Sequence, residues 1–230
     1  CEALKLRLWI NDGFDYPPGG VAGKLAKIDS TLSQQRVKLV DGKIVFEDVP
    51  WGYPAFEYAK SSELFIKLVY EAYEREVGEY FGNVIEGFFS DADNRRVNYE
   101  VHTEGSRQYD YFPWCKDFEK GFMERYSYDI LPHLEKVLKR EECNEARDYW
   151  EYTSYLYQQW FRNNYKWLKS RGLKYSFHTS DSSPMTIEES QRSSVFLEGR
   201  ALDIESNSDY PGTDQELLEI NANRIFLKDD

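Results

Sequence analysis

The strongest constraint on the fold of this chain is a helix-like segment that leads directly into a strand-like one. Residues 60–82 place apolar side chains three and four positions apart, which gives a helix one apolar face, and Ser61 or Ser62 is expected to cap it. Residues 83–91 follow as a short apolar run, typical of a buried strand. An earlier strand is predicted over residues 4–12, where leucine or isoleucine recurs at every second position. Strand, helix and strand in this order form the unit of a parallel sheet, so we predict an α/β fold.

The remaining segments are predicted to extend the same domain. The sequence predicts a β-hairpin over residues 36–49, two short helices over residues 115–139 and a long amphipathic helix over residues 144–172. Two further strands are predicted over residues 173–181 and 201–204. Asp41-Gly42 suits the hairpin turn, Pro132 separates the short helices, and Pro211-Gly212 predicts a late turn. We expect a single domain over residues 1–230, because a chain of this length can bury one sizeable core.

The charge of the chain bears on its partners. The formal net charge is −12 and the pI is about 4.9, whereas a protein that binds nucleic acid needs basic clusters against the phosphates. No apolar run approaches the roughly 18 residues of a membrane span. We therefore expect a neutral or cationic ligand, and neither nucleic acid nor a membrane as a partner.

The cysteines bear on the cellular compartment. Cys1, Cys115 and Cys143 show neither C-x-x-C spacing nor a nearby histidine pair, so we expect free thiols and no bound metal. Free thiols suit a reducing compartment. The cytoplasm is the expected location, while a secreted or periplasmic one stays open.

Aromatic residues make up 17% of the chain, with 18 tyrosines, 14 phenylalanines and 6 tryptophans. Two explanations are open. The rings are bulky core packing, or some of them line a sugar cleft, where sugar C–H faces stack on rings and hydroxyls form hydrogen bonds. The tyrosine-rich connection from residue 94 to Trp114 is long enough to be a functional loop.

Polar residues follow four predicted strands at the point where each strand ends. These groups are Asn11-Asp12, Asp91-Ala92-Asp93, residues 178–181 and residues 203–205. The carboxyl ends of parallel strands share one edge, where α/β enzymes hold their active sites, although a strand end also turns polar where it merely meets solvent. The chain has no Gly-rich phosphate loop, no G-x-S-x-G and no H-E-x-x-H, so carboxylates are its main catalytic resource. Paired carboxylates with aromatic walls are the apparatus of glycoside hydrolysis.

The charged end of GFFSDADNRR, residues 87–96, has two interpretations. In one, Asp91 and Asp93 face a sugar, and Arg95 or Arg96 keeps them ionised or binds an acidic sugar. In the other, the cluster only fixes a surface loop. An adjacent guanidinium lowers the pKa of a carboxyl group, which suits a base or a hydroxyl binder better than a general acid.

Several blocks of the sequence resemble a known family. The blocks LWINDGFDYPPGGVAGK, FIKLVYEAYEREVGEYFGNVIEGFFSD, ERYSYDILPHL and DYPGTDQ follow the order found in a group of bacterial glycoside hydrolase-like proteins. That group is related to the α-L-rhamnosidases of glycoside hydrolase family 106, whose catalytic domain is a (β/α)8 barrel. The resemblance covers nearly the whole chain as scattered blocks. It implies a TIM-type (β/α)8 barrel, incomplete in this chain, with the small hairpin as an insertion.

The resemblance also implies where catalytic groups stand. Asp12 keeps an acidic position of the family, whereas Gly13 and Ala92 occupy positions at which the family has glutamates, and Ala92 stands at that of the expected catalytic acid. Either Asp91 or Asp93 has taken over the acid role, or this branch does not hydrolyse glycosides by the family's route.

The leading hypothesis is a glycoside hydrolase that acts on a plant or bacterial glycoside or polysaccharide. The expected catalytic residues are Asp91, Asp93 and Glu205, and the expected substrate-binding residues are Asp12, Tyr16, Arg95, Trp114, His178, Asp181, Asp209 and Asp214. No cofactor is expected, although the resemblance allows calcium. Two alternatives are an inactive carbohydrate-binding or scaffold domain and an acidic protein-interaction module. A partial barrel would also need the remaining segments of a longer chain, or another subunit, to cover its sheet edge.

Overall fold

The fold is described by a computed structural model. It describes residues 4–14, 19–49, 52–91, 111–178 and 210–211, with the backbone alone for Asp91, Phe177, His178, Tyr210 and Pro211. The elements are β1 (Leu8–Asn11), α1 (Lys24–Ile28), β2 (Gln35–Val40), β3 (Lys43–Asp48), α2 (Ala59–Leu68), α3 (Tyr70–Val77), β4 (Ile85–Asp91), β5 (Phe112–Trp114), α4 (Phe118–Tyr126), α5 (Leu134–Leu138), α6 (Asn144–Lys169), β6 (Lys174–His178) and β7 (Tyr210–Pro211). Short 3-10 helices cover Ser30–Leu32, Gly78–Tyr80 and Leu131–His133.

A parallel sheet in the order β1-β4-β6-β7 forms one half of the fold. Its three main strands are the ones predicted from the apolar runs, and β7 adds only two residues beside β6. The predicted strand at residues 4–12 is shorter than expected, because pairing to β4 begins at Leu8 and the side chains of Leu4 and Leu6 are exposed. The predicted strand at residues 201–204 lies outside the described residues.

The prediction of an eight-stranded barrel is wrong. The described residues form an open parallel sheet and a separate antiparallel sheet in the order β3-β2-β5, and neither closes on itself. The physical reason is that β2, β3 and β5 pair with one another instead of extending the parallel sheet. Barrel closure requires every strand to be paired on both sides, and within the described residues β1 and β7 are edge strands.

The predicted hairpin is confirmed. β2 pairs with β3 in an antiparallel register that runs from Gln35 opposite Asp48 to Val40 opposite Lys43. Between them Asp41 and Gly42 have φ of 48° and 75°, the two positive values that a tight hairpin turn requires.

The helix predicted over residues 60–82 is divided into α2 and α3. The backbone departs from helical geometry at Val69, with φ −108° and ψ −71°. Ser61 and Ser62 do not cap α2 but lie inside it and are buried, because α2 packs this face against α6. The Asn163 side chain of α6 donates a 2.8 Å hydrogen bond to the Ser62 hydroxyl, and Tyr58 is the N-cap residue.

The long helix α6 carries the aromatic core. It is predicted from its amphipathic pattern, and it ends at Lys169, shortly before Gly172 with φ of 71°. Trp160 of α6 lies with its ring centroid 4.8 Å from that of Phe56 and 4.9 Å from that of Phe65. Many of the aromatic rings in the described part of the chain are therefore core packing, which favours the first explanation of their abundance.

The turn between β2 and β3 yields a stability prediction. We expect Gly42→Ala to lower the free energy of unfolding by about 1 kcal/mol, because an alanine resists a positive φ. No atom lies within 4 Å of the added Cβ, so the loss is one of backbone conformation alone. Urea unfolding, monitored by circular dichroism, measures this difference in the free energy of unfolding.

Gly78→Ala is the matched control. Gly78 has helical φ and ψ of −60° and −25°, and its added Cβ would make ordinary contact with Glu74 Cγ at 3.4 Å. We expect the free energy of unfolding of the Gly78→Ala variant to be unchanged or raised. Equal losses in the two variants would contradict the assignment of a positive φ to Gly42.

Candidate functional site

The carboxyl ends of the three main parallel strands lie side by side. Asn11 at the end of β1 is paired with Phe89 of β4, and Asp91 at the end of β4 is paired with His178 at the end of β6. The backbone N–H of Asp12 donates to the carbonyl of Phe89 at 3.0 Å, so β1 and β4 stay in register up to this edge. Residues far apart in the sequence thus meet at one edge of the sheet.

Most of the predicted site residues cannot be placed. Asp93, Glu205, Tyr16, Arg95, Asp181, Asp209 and Asp214 lie outside the described residues. Asp91 and His178 are brought to neighbouring backbone positions. The roles assigned to these residues stay predictions.

Asp12 is held in a buried network of hydrogen bonds. The residue is 2% exposed, and its Oδ2 accepts from the Tyr70 hydroxyl at 2.5 Å and from the Ser90 hydroxyl at 2.6 Å. Ser90 Oγ and the Tyr175 hydroxyl are 2.9 Å apart. Because Ser90 gives its one proton to Asp12, Tyr175 is the donor in the second contact. We infer that Asp12 joins β1, β4 and β6 to α3, a role in alignment rather than in substrate contact.

Trp114 lies in the core and belongs to the antiparallel sheet, not to the parallel one. It belongs to β5 of the antiparallel sheet and is 6% exposed. Its ring stacks on Phe118 with centroids 4.2 Å apart and also contacts Phe46. This packing argues against a direct role in binding substrate.

The face of the parallel sheet opposite to the described helices holds a cavity of about 430 Å³, and its described lining residues are Trp9, Glu86, Phe89 and Ser176. On the helix-covered face, Phe88 contacts Tyr70 of α3. Neighbouring side chains of a strand point to opposite faces, so Phe89 faces away from the helices. The cavity therefore lies on the face opposite to the aromatic core.

A β-bulge in β4 brings the lining residues together. Leu8 pairs with Ile85 and Trp9 with Gly87, so Glu86 is an extra residue opposite no residue of β1. Regular alternation would put Glu86 and Phe89 on opposite faces, and the bulge places both at the cavity. A Cβ on Gly87 would lie 2.5 Å from the Lys174 carbonyl oxygen and 2.8 Å from Trp9 Cζ3. Glycine is therefore required for the Trp9 ring to lie against β4.

Glu86 is held in its ionised form. Its Oε1 accepts from Lys174 Nζ at 2.8 Å and its Oε2 accepts from the Trp9 indole N–H at 3.2 Å. These two hydrogen bonds, that from Lys174 first, lower the pKa of Glu86 below its ordinary value of 4.5. A carboxylate in this state accepts hydrogen bonds from ligand hydroxyls or acts as a base, but it is not a general acid at neutral pH.

Sequence reasoning missed Trp9, Glu86, Lys174, Phe89 and Ser176. These residues precede the carboxyl ends of the strands, where the polar groups of the sequence predict the site. A glycine inside an apolar strand often marks a bulge or a close approach, so Gly87 was the one local signal for this cavity.

Two structural observations concern metals and membranes. In the described part of the chain, no group of three or more His, Cys, Asp or Glu side chains is placed so that it could hold a metal ion. In the same part of the chain, no helix combines the length and the apolar character that a membrane crossing needs. Calcium binding stays an untested implication of the resemblance.

The buried network yields a second prediction. We expect Tyr70→Phe to lower the free energy of unfolding by about 1–3 kcal/mol, because a buried carboxylate loses one of its donors. Tyr73→Phe on the same helix is the control, since Tyr73 is 37% exposed, and we expect a change within about 0.5 kcal/mol. Chemical denaturation measures both, and equal effects would contradict a special role for the Tyr70 hydroxyl.

The Glu86 ion pair yields a third prediction. In Lys174→Met the pKa of Glu86 should rise towards 4.5, because its first hydrogen-bond donor is removed. In the native protein the pair contributes stability above the ordinary pKa and loses it as the pH falls through the lowered one. Carbon-detected NMR titration of the Glu86 carboxyl measures the shift. Lys67→Met, on α2, should leave this pKa unchanged.

Comparison with known proteins identifies no relative. No model of a known protein family, no curated protein and no solved structure matches the chain.

Proposed function

We propose that this protein binds a carbohydrate in the cavity beside Trp9 and Glu86 on the parallel sheet and acts on it as a glycoside hydrolase. The observation that carries the proposal is the association of the Trp9 ring with Glu86 and Lys174 on one sheet face. Sugars offer apolar C–H faces to rings and hydroxyls to charged groups, so one ring beside an anion and a cation suits them.

The size of the cavity is consistent with a sugar ligand. A volume of about 430 Å³ lies in the range of small-molecule sites, roughly 300–1,000 Å³. The chain's net charge of −12 favours a neutral sugar over a strongly anionic one. The sequence resemblance to rhamnosidase-related glycoside hydrolase-like proteins supports the same class of ligand.

Glu86 is assigned to binding and not to catalysis. In a retaining glycosidase the two carboxyl groups are roughly 5 Å apart, because one of them attacks the anomeric carbon directly. In an inverting glycosidase they are roughly 6.5 to 9.5 Å apart, which leaves room for the attacking water. Glu86 and Asp91 are five positions apart on β4, which corresponds to about 15 Å along a strand. The two cannot form one catalytic pair.

Hydrolysis is therefore proposed for the carboxyl edge of the sheet. Asp91 is the candidate carboxylate there, with Asp93 and Glu205 as the partners proposed from the sequence. One of the two acids protonates the oxygen of the leaving group, and the other, as a carboxylate, attacks the anomeric carbon or removes a proton from the attacking water.

The second candidate function is carbohydrate binding without turnover. Two observations favour it: Asp12 is committed to hydrogen bonds inside the protein, and alanine occupies position 92, where the resembling family has its catalytic acid. Both reduce the number of carboxylates that could act on a substrate.

The test is sugar release from a panel of aryl glycosides and polysaccharides, with calorimetric binding measured in parallel. Loss of one catalytic carboxylate in Asp91→Asn should slow turnover by about 10² to 10⁴ while the sugar still binds. Trp9→Leu should weaken binding by about tenfold, since it removes the ring but keeps an apolar side chain. Circular dichroism confirms that both variants are folded.

Three outcomes separate the hypotheses. Turnover that collapses in Asp91→Asn supports the glycoside hydrolase. Saturable binding without turnover, weakened in Trp9→Leu, supports the second candidate. If no sugar binds or is cleaved, or if Trp9→Leu binds as tightly as the native protein, the proposed cavity is wrong.

A further inference from the structure

The outer edge of β3 is an open strand edge. In the part of the chain that the structure describes, the antiparallel sheet has the order β3-β2-β5, so β3 has β2 on one side and no strand on the other. All six residues of β3 pair with β2 without a bulge, and none of them is a proline. Bulges and prolines are common devices that stop a further strand from adding to an edge. The edge of β3 can therefore accept another strand.

The tight turn decides which backbone groups of β3 face outwards. A two-residue turn joins Val40 and Lys43, which therefore exchange backbone hydrogen bonds with each other. Along an antiparallel pair, hydrogen-bonded and non-hydrogen-bonded residues alternate. Lys43 and every second residue after it bond to β2, while the N–H and C=O groups of Ile44 and Phe46 point away from it. These outward groups are the hydrogen-bonding positions available to a new strand.

One side-chain face of this edge is apolar and incompletely covered. Phe46 lies opposite the buried Val37 of β2, and its ring centroid is 5.0 Å from that of Trp114, yet Phe46 is 45% exposed. Ile44, two residues earlier and on the same face, is half-buried. The apolar face of the sheet thus continues to its outer edge, where an added strand with apolar side chains would cover it.

The other face of the edge carries charges of both signs. The exposed Lys43 and the half-buried Glu47 are four residues apart in sequence and on the same face, with Val45 between them. Glu47 Oε1 accepts from Nε of Arg36 in β2 at 2.8 Å. β3 therefore presents a positive charge near its start and a negative charge near its end. Such a strand is complementary to a second copy of itself that runs antiparallel.

We propose that this protein forms a dimer in which β3 pairs antiparallel with β3 of a second copy. Val45 lies on the two-fold axis, opposite Val45 of the second copy. Lys43 lies opposite Glu47 of the second copy, and Ile44 exchanges its backbone hydrogen bonds with Phe46 of the second copy. Each open β3 edge is used once, so the assembly closes at two copies.

The charges select this register over the neighbouring ones. Opposite charges directly across from each other stabilise a strand pair, and like charges destabilise it. Moving the axis one residue towards the turn puts Asp41 opposite Glu47 of the second copy, and moving it one residue the other way leaves Lys43 with no carboxylate opposite. With Val45 on the axis, each Lys43 meets a Glu47. That carboxylate then lies between this ammonium and Arg36 of its own copy.

The same register covers the exposed aromatic ring. Residues directly opposite each other in an antiparallel pair point to the same face of the sheet. Phe46 therefore packs on Ile44 of the second copy, and Ile44 on Phe46 of the second copy. An aromatic side chain opposite a β-branched one is a favourable cross-strand pair.

The first test is sedimentation equilibrium of the full chain. We expect a monomer–dimer equilibrium with a Kd of about 100 µM or lower. Lys43→Glu places a carboxylate opposite Glu47 of the second copy and should raise this Kd by at least about tenfold. Lys27→Glu makes the same change of net charge at an exposed position of α1 and should leave the Kd unchanged. Both changes are at exposed side chains, and circular dichroism confirms that both variants are folded.

The second test measures the register. In Val45→Cys the two introduced thiols lie opposite each other at a non-hydrogen-bonded pair, where the Cα atoms are about 4.5 Å apart, close enough for a disulfide. The thiol oxidant diamide should link the two copies, and mass spectrometry should identify the linkage between the two residues 45. Lys43→Cys is the control, because its two thiols would be about 13 Å apart along the strands and should not link. The native chain, treated in the same way, accounts for Cys115 and Cys143.

Each contrary result overturns the proposal. A chain that stays monomeric up to about 1 mM, ten times the expected Kd, would show that the β3 edge does not associate. A dimer that Lys43→Glu leaves unchanged would use another surface. Cross-linking of Lys43→Cys as fast as that of Val45→Cys would exclude the register with Val45 on the axis. None of these measurements involves sugar binding or hydrolysis, so the dimer and the proposed function are tested separately.

Discussion

The rest of the structure depends on the packing of α6 between the two sheets. Near its start, the Tyr149 hydroxyl donates to the carbonyl of Pro113 in β5, and the Trp150 ring contacts Phe112 of the same strand. Farther along, Trp160 packs on Phe65 of α2, and the end of α6 leads into β6. One helix of 26 residues thus supports the antiparallel sheet with one part of its length and the parallel sheet with the other.

The carboxyl edge of the parallel sheet is ordered by polar groups that the helices bury. The Asp12 carboxylate receives hydrogen bonds from Tyr70 of α3 and Ser90 of β4, and Tyr175 of β6 donates to Ser90. A buried carboxylate is costly without such donors, so the network specifies one alignment of three strands. That alignment is what places Asp91 beside His178. The acidic residue that the sequence suggested for substrate is therefore used to build the edge on which a substrate would lie.

The cavity on the parallel sheet and another of about 260 Å³ between the starts of α2 and α4 differ in the way the fold creates them. On the parallel sheet, an extra residue in β4 and the absence of a side chain at Gly87 let Trp9 and Glu86 meet on one face. Between α2 and α4, two helices begin near a buried glutamate, and Gly121 leaves room for the Tyr152 hydroxyl. In both places a glycine allows a large aromatic residue to present a polar atom. The cavity on the parallel sheet offers an aromatic face with one ion pair, which suits a neutral polyol.

The sequence by itself determined the local elements of this protein. The Asp41-Gly42 pair specifies the hairpin because few other dipeptides accept two positive φ angles, and the period of the apolar residues specifies α6 and the strands β4 and β6. These are properties of neighbouring residues, so they can be read without knowing the fold. The position of polar residues at the strand ends was readable for the same reason.

Only the tertiary structure decided how those elements combine and which side chains meet. The break at Val69, the burial of Ser61 and Ser62 against α6 and the bulge at Glu86 all arise from packing between segments distant in sequence. The choice of two open sheets over a barrel has the same origin, because β2 found partners in β3 and β5 and not in the parallel sheet. Strand pairing and side-chain contacts are long-range interactions, and their energies depend on which faces the whole chain brings together.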